Sequence, residues 1–141
     1  MNSQDAWELC TLRNVLEGLG ARLAAVTITK DKVHILNAAV ERLVVAARNG
    51  KRGELADADF SFHKTIIHLS GHQRLQQQYK IVEQQIRLYI VSCNTPIPNL
   101  DQIIVKAIIS QDALVAQQLA KEHNLDGKGF VKHLQALERK N

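Results

Sequence analysis

Both prolines of this 141-residue chain, Pro96 and Pro98, fall in one short segment, so helix can run unbroken on either side of it. No stretch holds a period-two alternation of apolar and polar residues long enough to predict a strand. Aromatic residues make up only 4% of the chain, so its core must be assembled from Leu, Ile, Val and Ala, which suits packed helices better than a sheet sandwich. A chain of this length fits one domain, here residues 1–141. It can bury roughly two-thirds of its unfolded surface without a disulfide or structural metal. The expected fold class is all-α, an antiparallel bundle of six to seven helices.

The helices can be placed from their apolar periodicity and their stop signals. The first spans about Ser3 to Thr27, with Trp7, Leu9, Leu12, Leu16, Leu19, Leu23 and Val26 at helical spacing as its expected buried stripe. A second starts near Asp31 and carries Val33, Leu36, Val40, Leu43, Val44 and Ala47 before Asn49-Gly50 stops it. The third covers about Gly53 to Leu69 and ends at Ser70-Gly71. The fourth runs from Gln73 to about Ser92 and buries Leu75, Tyr79, Val82, Ile86 and Tyr89. Asn94 to Asn99 reads as a loop, with Asn99 as N-cap of a fifth helix from Leu100 to Ser110. Asp112 caps or starts a sixth that reaches about His123. Asp126-Gly127-Lys128-Gly129 separates this from a last helix, Phe130 to Arg139. There is no internal repeat and no low-complexity tract.

Composition narrows the function classes. Cys10 and Cys93 lie far apart without a Cys-x-x-Cys motif, which fits reduced thiols in a cytoplasmic protein. The first seven residues are polar and carry no signal segment, and no run approaches the roughly 18 apolar residues of a membrane span. The formal net charge of +4 comes from basic residues scattered among acids, and the Arg48–Arg52 cluster surrounds a helix end, where cations suit the dipole. Charge alone therefore makes no DNA-binding patch.

The chemistry concentrates at Asp59-Phe60-Ser61-Phe62-His63. A carboxylate and an imidazole four residues apart share one helix face, one turn from each other. Such a pair is half of a metal site, half of a general-base pair, or a plain hydrogen-bonded pair with no ligand. In a bundle the other half must come from inward side chains on facing helices. His123, at the end of the sixth helix, and Asp101, in the first turn of the fifth, are candidates. Asp101 in that position also complements the helix dipole.

Four stretches, in order along nearly the whole chain, resemble the ligand-binding FCD domain of GntR-type bacterial transcription regulators of the FadR subfamily. Glu8 to Glu17 looks like the family's opening helix, with its Arg and Glu at Arg13 and Glu17. Asp59 to His63 matches an Asp-x-x-Phe-His signature. Leu69 to Leu75 resembles the turn that follows it, with His72 where the family has Asn. Ala107 to Ala113, then Ala116 and His123, resembles an Ala-Ile-x-x-Gly-Asp segment, with Gln111 in place of the Gly.

The resemblance implies a divalent metal, commonly zinc or nickel, held by an Asp and three His beneath a carboxylate-bearing effector. Asp59, His63 and His123 match three ligand positions, and Asp101 stands where the third His is usual. The extra oxygen donor moves the preference toward harder ions such as manganese or iron. Arg13 and Arg87 are candidate contacts for the effector carboxylate, or else structural ion-pair partners of acids such as Glu17 and Glu83. His34, His68 and His133 read as surface or boundary residues, His72 as a turn residue, and Phe60 and Phe62 as core.

On this resemblance the chain is expected to be an effector sensor and not an enzyme, and family members are usually homodimers. DNA would be reached only through a winged helix-turn-helix domain, which the seven residues before Glu8 cannot supply. The competing expectations are a metal-dependent hydrolytic enzyme and a helical dimerisation module without a ligand.

Overall fold

The computed structural model describes residues 2–92, 98–123 and 139. They form α1 (Ser3–Val26), α2 (Lys30–Asn49), α3 (Arg52–Leu69), α4 (Gln73–Ser92), α5 (Pro98–Ile109) and α6 (Ala113–His123), with no strand among the described residues. The architecture is the all-α bundle expected from the sequence. The expected seventh helix and the Asp126–Gly129 break lie outside the described residues, apart from Arg139, which is helical.

Local chemistry sets the ends. Asn2 caps α1 through a capping box, its Oδ1 accepting from the Asp5 amide at 2.8 Å. Thr29 caps α2, and Gly50 ends that helix at φ 67°, the left-handed C-terminal position that glycine fills without strain. α5 differs from expectation. It begins at Pro98, so Asn99 lies inside its first turn rather than capping it. Proline is well suited to the first helical position, where its missing N–H has no partner to lose.

Two turn residues singled out in the sequence have local explanations here. The Nδ1 of His72 accepts the Leu75 amide at 3.0 Å, so the imidazole performs an N-cap's task at the start of α4. His72→Ala is expected to lower stability by about 1 kcal/mol and His72→Asn to preserve it, both read by urea denaturation. Gln111 is the one described non-glycine residue at positive φ, 62°. The amides of Gln111 and Asp112 return to the carbonyls of Ile108 and Ala107, each at 3.0 Å, closing a Schellman turn with Gln111 at the position glycine favours. Asp112 Oδ1 then accepts the Val115 amide at 3.4 Å to cap α6. Gln111→Gly is therefore expected to raise the melting temperature by a few degrees, on the order of 0.5–1 kcal/mol after glycine's own entropic cost.

α1 differs most from the expected pattern. Trp7, Leu12 and Val26 are exposed and Leu16, Leu19 and Leu23 half-buried. Of the expected stripe only Leu9 is buried. The buried face instead carries Ala6, Cys10, Arg13, Glu17, Gly18, Gly20, Ala21, Ala24 and Ala25. Small residues allow close approach: a Cβ at Gly20 would lie 2.9 Å from Ile67 Cδ1, and one at Gly18 3.0 Å from Lys121 Cγ. α1 accordingly packs most extensively on α6 and also on α3.

Two apolar clusters result. One joins α1 to α2, α3, α5 and α6 around Leu36, Leu43, Phe62, Ile104 and Ile108. The other joins α1 and α3 to α4 around Leu9, Tyr79, Ile86 and Tyr89. Arg13 and Glu17 lie on α1 between the residues it gives to each cluster.

Candidate functional site

Six buried polar residues from four helices face one another inside this apolar frame. α3 contributes Asp59 and His63, one turn apart, and α5 contributes Asp101, fully buried near its start. α1 contributes Arg13 and Glu17, and α4 contributes Tyr79. Polar groups persist at such depth only when each finds a partner.

His63 is the hub. Its Nδ1 lies 3.0 Å from Glu17 Oε1, and its Nε2 lies 3.2 Å from Asp59 Oδ1 and 3.9 Å from Asp101 Oδ1. The Phe62 ring meets it edge-on, with centroids 5.2 Å apart. Glu17 is held from its other side by Arg13, Nε to Oε2 at 2.5 Å, and by the Tyr79 hydroxyl, which donates to Oε2 at 3.2 Å. The Arg13 guanidinium also lies over the Tyr89 ring, 6.0 Å from its centroid.

The electrostatics follow from burial competing with pairing. Burial disfavours a charged His63, but Glu17 and Asp59 outweigh it and raise the imidazole to about 10. Burial would raise Glu17, yet Arg13 and His63 hold it far below the usual carboxylate range. Arg13 is likewise kept charged, its burial outweighed by Glu17 first. Burial drives Asp101 up to about 7, the His63 charge only partly opposing it while Asp59 and Glu17 add to the rise. Burial and the Glu17 charge push the Tyr79 phenol well above its ordinary value, so it stays a neutral donor.

Asp59, His63 and Asp101 each offer a ligand atom, and these atoms all lie within 4.8 Å of one another. Ligands of a first-row ion bind at roughly 2.0–2.2 Å and so sit about 3–4 Å apart, which places the three one small contraction from a coordination shell. Two carboxylates and an imidazole suit a divalent ion, with more oxygen than a site rich in histidine. The residues present therefore fit a metal. His123 closes α6, a helix packed on both α1 and α5. Its side chain lies outside the described residues.

The two arginines part company. Arg13 joins the cluster but is engaged by Glu17. Arg87 does not reach it: it lies half-exposed on α4 and pairs with Asp57 at 3.0 Å, while Glu83 pairs with Lys64 instead. His34 and His68 are exposed, and His133 lies outside the described residues. Sequence reasoning did not assign Glu17 or Tyr79 to the site. The signal for Glu17 was an Arg–Glu pair at i, i+4 on the same face as Gly20, Ala21 and Ala24.

With the geometry in place, comparison with known proteins defines the class. Residues 8–126 match the FCD domain, and the chain belongs to the FCD domain family. Among solved structures, Streptococcus agalactiae GntR is similar with a TM-score of 0.74 and 25% sequence identity, over 85% of this chain and 56% of that one. This chain thus spans little more than half the length of that relative. A search of curated proteins returned no match.

Proposed function

We propose that this chain is the effector-sensing domain of a GntR-type transcription regulator and binds a small organic acid at a divalent metal in the bundle core. The observation that carries this reading is the buried convergence of Asp59, His63 and Asp101 from two helices, inside a domain of the FCD family. His123, from α6, would complete the set. The ion would supply a Lewis-acidic position for the effector carboxylate, since Arg13 is already committed to Glu17. Zinc, nickel, manganese and iron all suit such donors, the second carboxylate favouring the harder ions. Ligands drawn from α3, α5 and α6 would let occupancy shift those helices relative to α1, and an attached DNA-binding domain would read the shift. A cytoplasmic location accords with this role, and no described helix is long and apolar enough to cross a membrane.

A homodimer belongs to the same reading. α1 and α4 leave Leu12, Val15, Ile81 and Leu88 exposed, and a groove between the two helices is lined by Leu9, Leu12, Val82 and Leu88 with Asp5, Glu8 and Gln85 beside them. A second copy covering that face would bury apolar surface that the monomer leaves in water. Sedimentation is expected to show a dimer that Leu88→Glu dissociates; a monomeric wild type would contradict it.

The effector reading is tested by thermal shift of the metal-loaded protein against a panel of dicarboxylates and sugar acids. At least one acid is expected to raise the melting temperature, and only when metal is present. Turnover of an acid or ester by the same sample would favour the enzyme reading, and no shift by any acid would defeat the sensor.

A further inference from the structure

His63 has two ring nitrogens, and only one of them faces the candidate ligands. Nε2 is turned toward Asp59 and Asp101, while Nδ1 meets Glu17 from α1. Histidine can present either nitrogen to a metal, and the choice is set by what receives the proton on the other. The carboxylate that receives it here is itself tightly fixed. Glu17 is buried, gripped by Arg13 one turn before it on α1, and receives the Tyr79 hydroxyl from α4. Neither Arg13 nor Tyr79 is needed as a ligand, yet both are buried at the cluster.

We propose that Glu17 is the positioning residue of the metal centre: it accepts the Nδ1–H of His63, fixing the ring so that Nε2 is the metal-binding nitrogen, with Arg13 and Tyr79 anchoring Glu17 in turn. This rests on the metal-binding reading above and adds two elements to it. α1 and α4, which supply none of the candidate metal ligands, are tied to the centre through one carboxylate. A change in the position of His63 on metal or effector binding is therefore felt at Glu17, Arg13 and Tyr79.

The test is a long-range ¹H–¹⁵N spectrum of the zinc-loaded wild-type protein, with zinc titrations of Glu17→Gln and Glu17→Leu alongside. The expected spectrum shows His63 protonated at Nδ1 and zinc-bound at Nε2. Glu17→Leu is expected to weaken zinc binding by about 10–100-fold. Glu17→Gln, which keeps an acceptor oxygen, should recover much of that loss. Zinc bound through Nδ1, or an affinity unchanged in Glu17→Leu, would overturn the proposal while leaving the metal site standing. A wild-type protein that takes up no zinc would instead remove the metal reading and this proposal with it. The wild-type spectrum decides the question even if Glu17→Leu fails to fold.

Discussion

Arg13→Ala is expected to cost about 3–5 kcal/mol, the penalty for stranding a buried charge when its partner is removed. Glu17 would then lie in the core with its main cation gone, still facing Tyr79 and His63. For a domain whose total stability is roughly 5–15 kcal/mol, that is a large fraction. The melting temperature should fall by on the order of 10 °C or more. Removing both charges should hurt less than removing one: Arg13→Met with Glu17→Gln replaces an ion pair by groups of similar shape, and part of the lost stability should return. A double-mutant cycle by chemical denaturation measures the coupling. Additive losses would mean that the two side chains do not act as a pair.

Metal affinity is expected to rise steeply with pH. Below neutrality the cluster holds two cations, Arg13 and His63, two anions, Glu17 and Asp59, and a protonated Asp101, raised to about 7 by burial. Those four charges sum to zero, the protonated Asp101 adding none. A divalent ion must displace the imidazolium proton of His63 and the carboxyl proton of Asp101. The set then carries the ion and Arg13 against three carboxylates, and again sums to zero. Binding should therefore release about two protons near pH 6 and about one near pH 8, so that affinity climbs roughly 100-fold and then tenfold per pH unit. Calorimetry in buffers of different ionisation enthalpy counts those protons.

The metal-free protein should respond to pH in the opposite sense. The folded state binds protons more tightly than the unfolded state at both groups. For His63, raised to about 10, the stabilisation is complete below its unfolded value and is lost as pH rises toward 10. For Asp101, ionising in the fold becomes a penalty as pH climbs from its ordinary value, 3.8, to about 7. The apo protein should thus be more stable at pH 6 than at pH 9, with metal closing the gap.

Much of the fold was legible because its punctuation is local. Asn49-Gly50 and Ser70-Gly71 mark helix ends through backbone requirements that do not depend on distant contacts. The buried face of α1 was not legible, for a physical reason. Periodicity finds the largest apolar residues, but in this helix the close-packed face belongs to Gly20, Ala21 and Ala24, and Leu12 and Val26 point outward. Asp59 and His63 could be paired from spacing, and Asp101 could be added by the family pattern. Glu17 could be read as a family position and as an ion-pair partner of Arg13, but its place beside His63 depends on tertiary packing that spacing does not show. Tyr79 lies 62 residues from the carboxylate it serves, and only the fold brings the two together.

Asp59, His63 and Asp101 are the proposed holders of a divalent ion. The most direct measurement is metal content per chain by mass spectrometry, after purification without chelator and after reloading, for wild type and Asp101→Asn. Asn keeps the shape of Asp101 and removes a carboxyl whose charge burial disfavours, so the variant should fold at least as stably as the metal-free wild type. About one ion per wild-type chain, with a clear loss of retention in Asp101→Asn, is the expected result. A wild type that holds no ion after reloading, or a folded variant that holds one just as firmly, would contradict it.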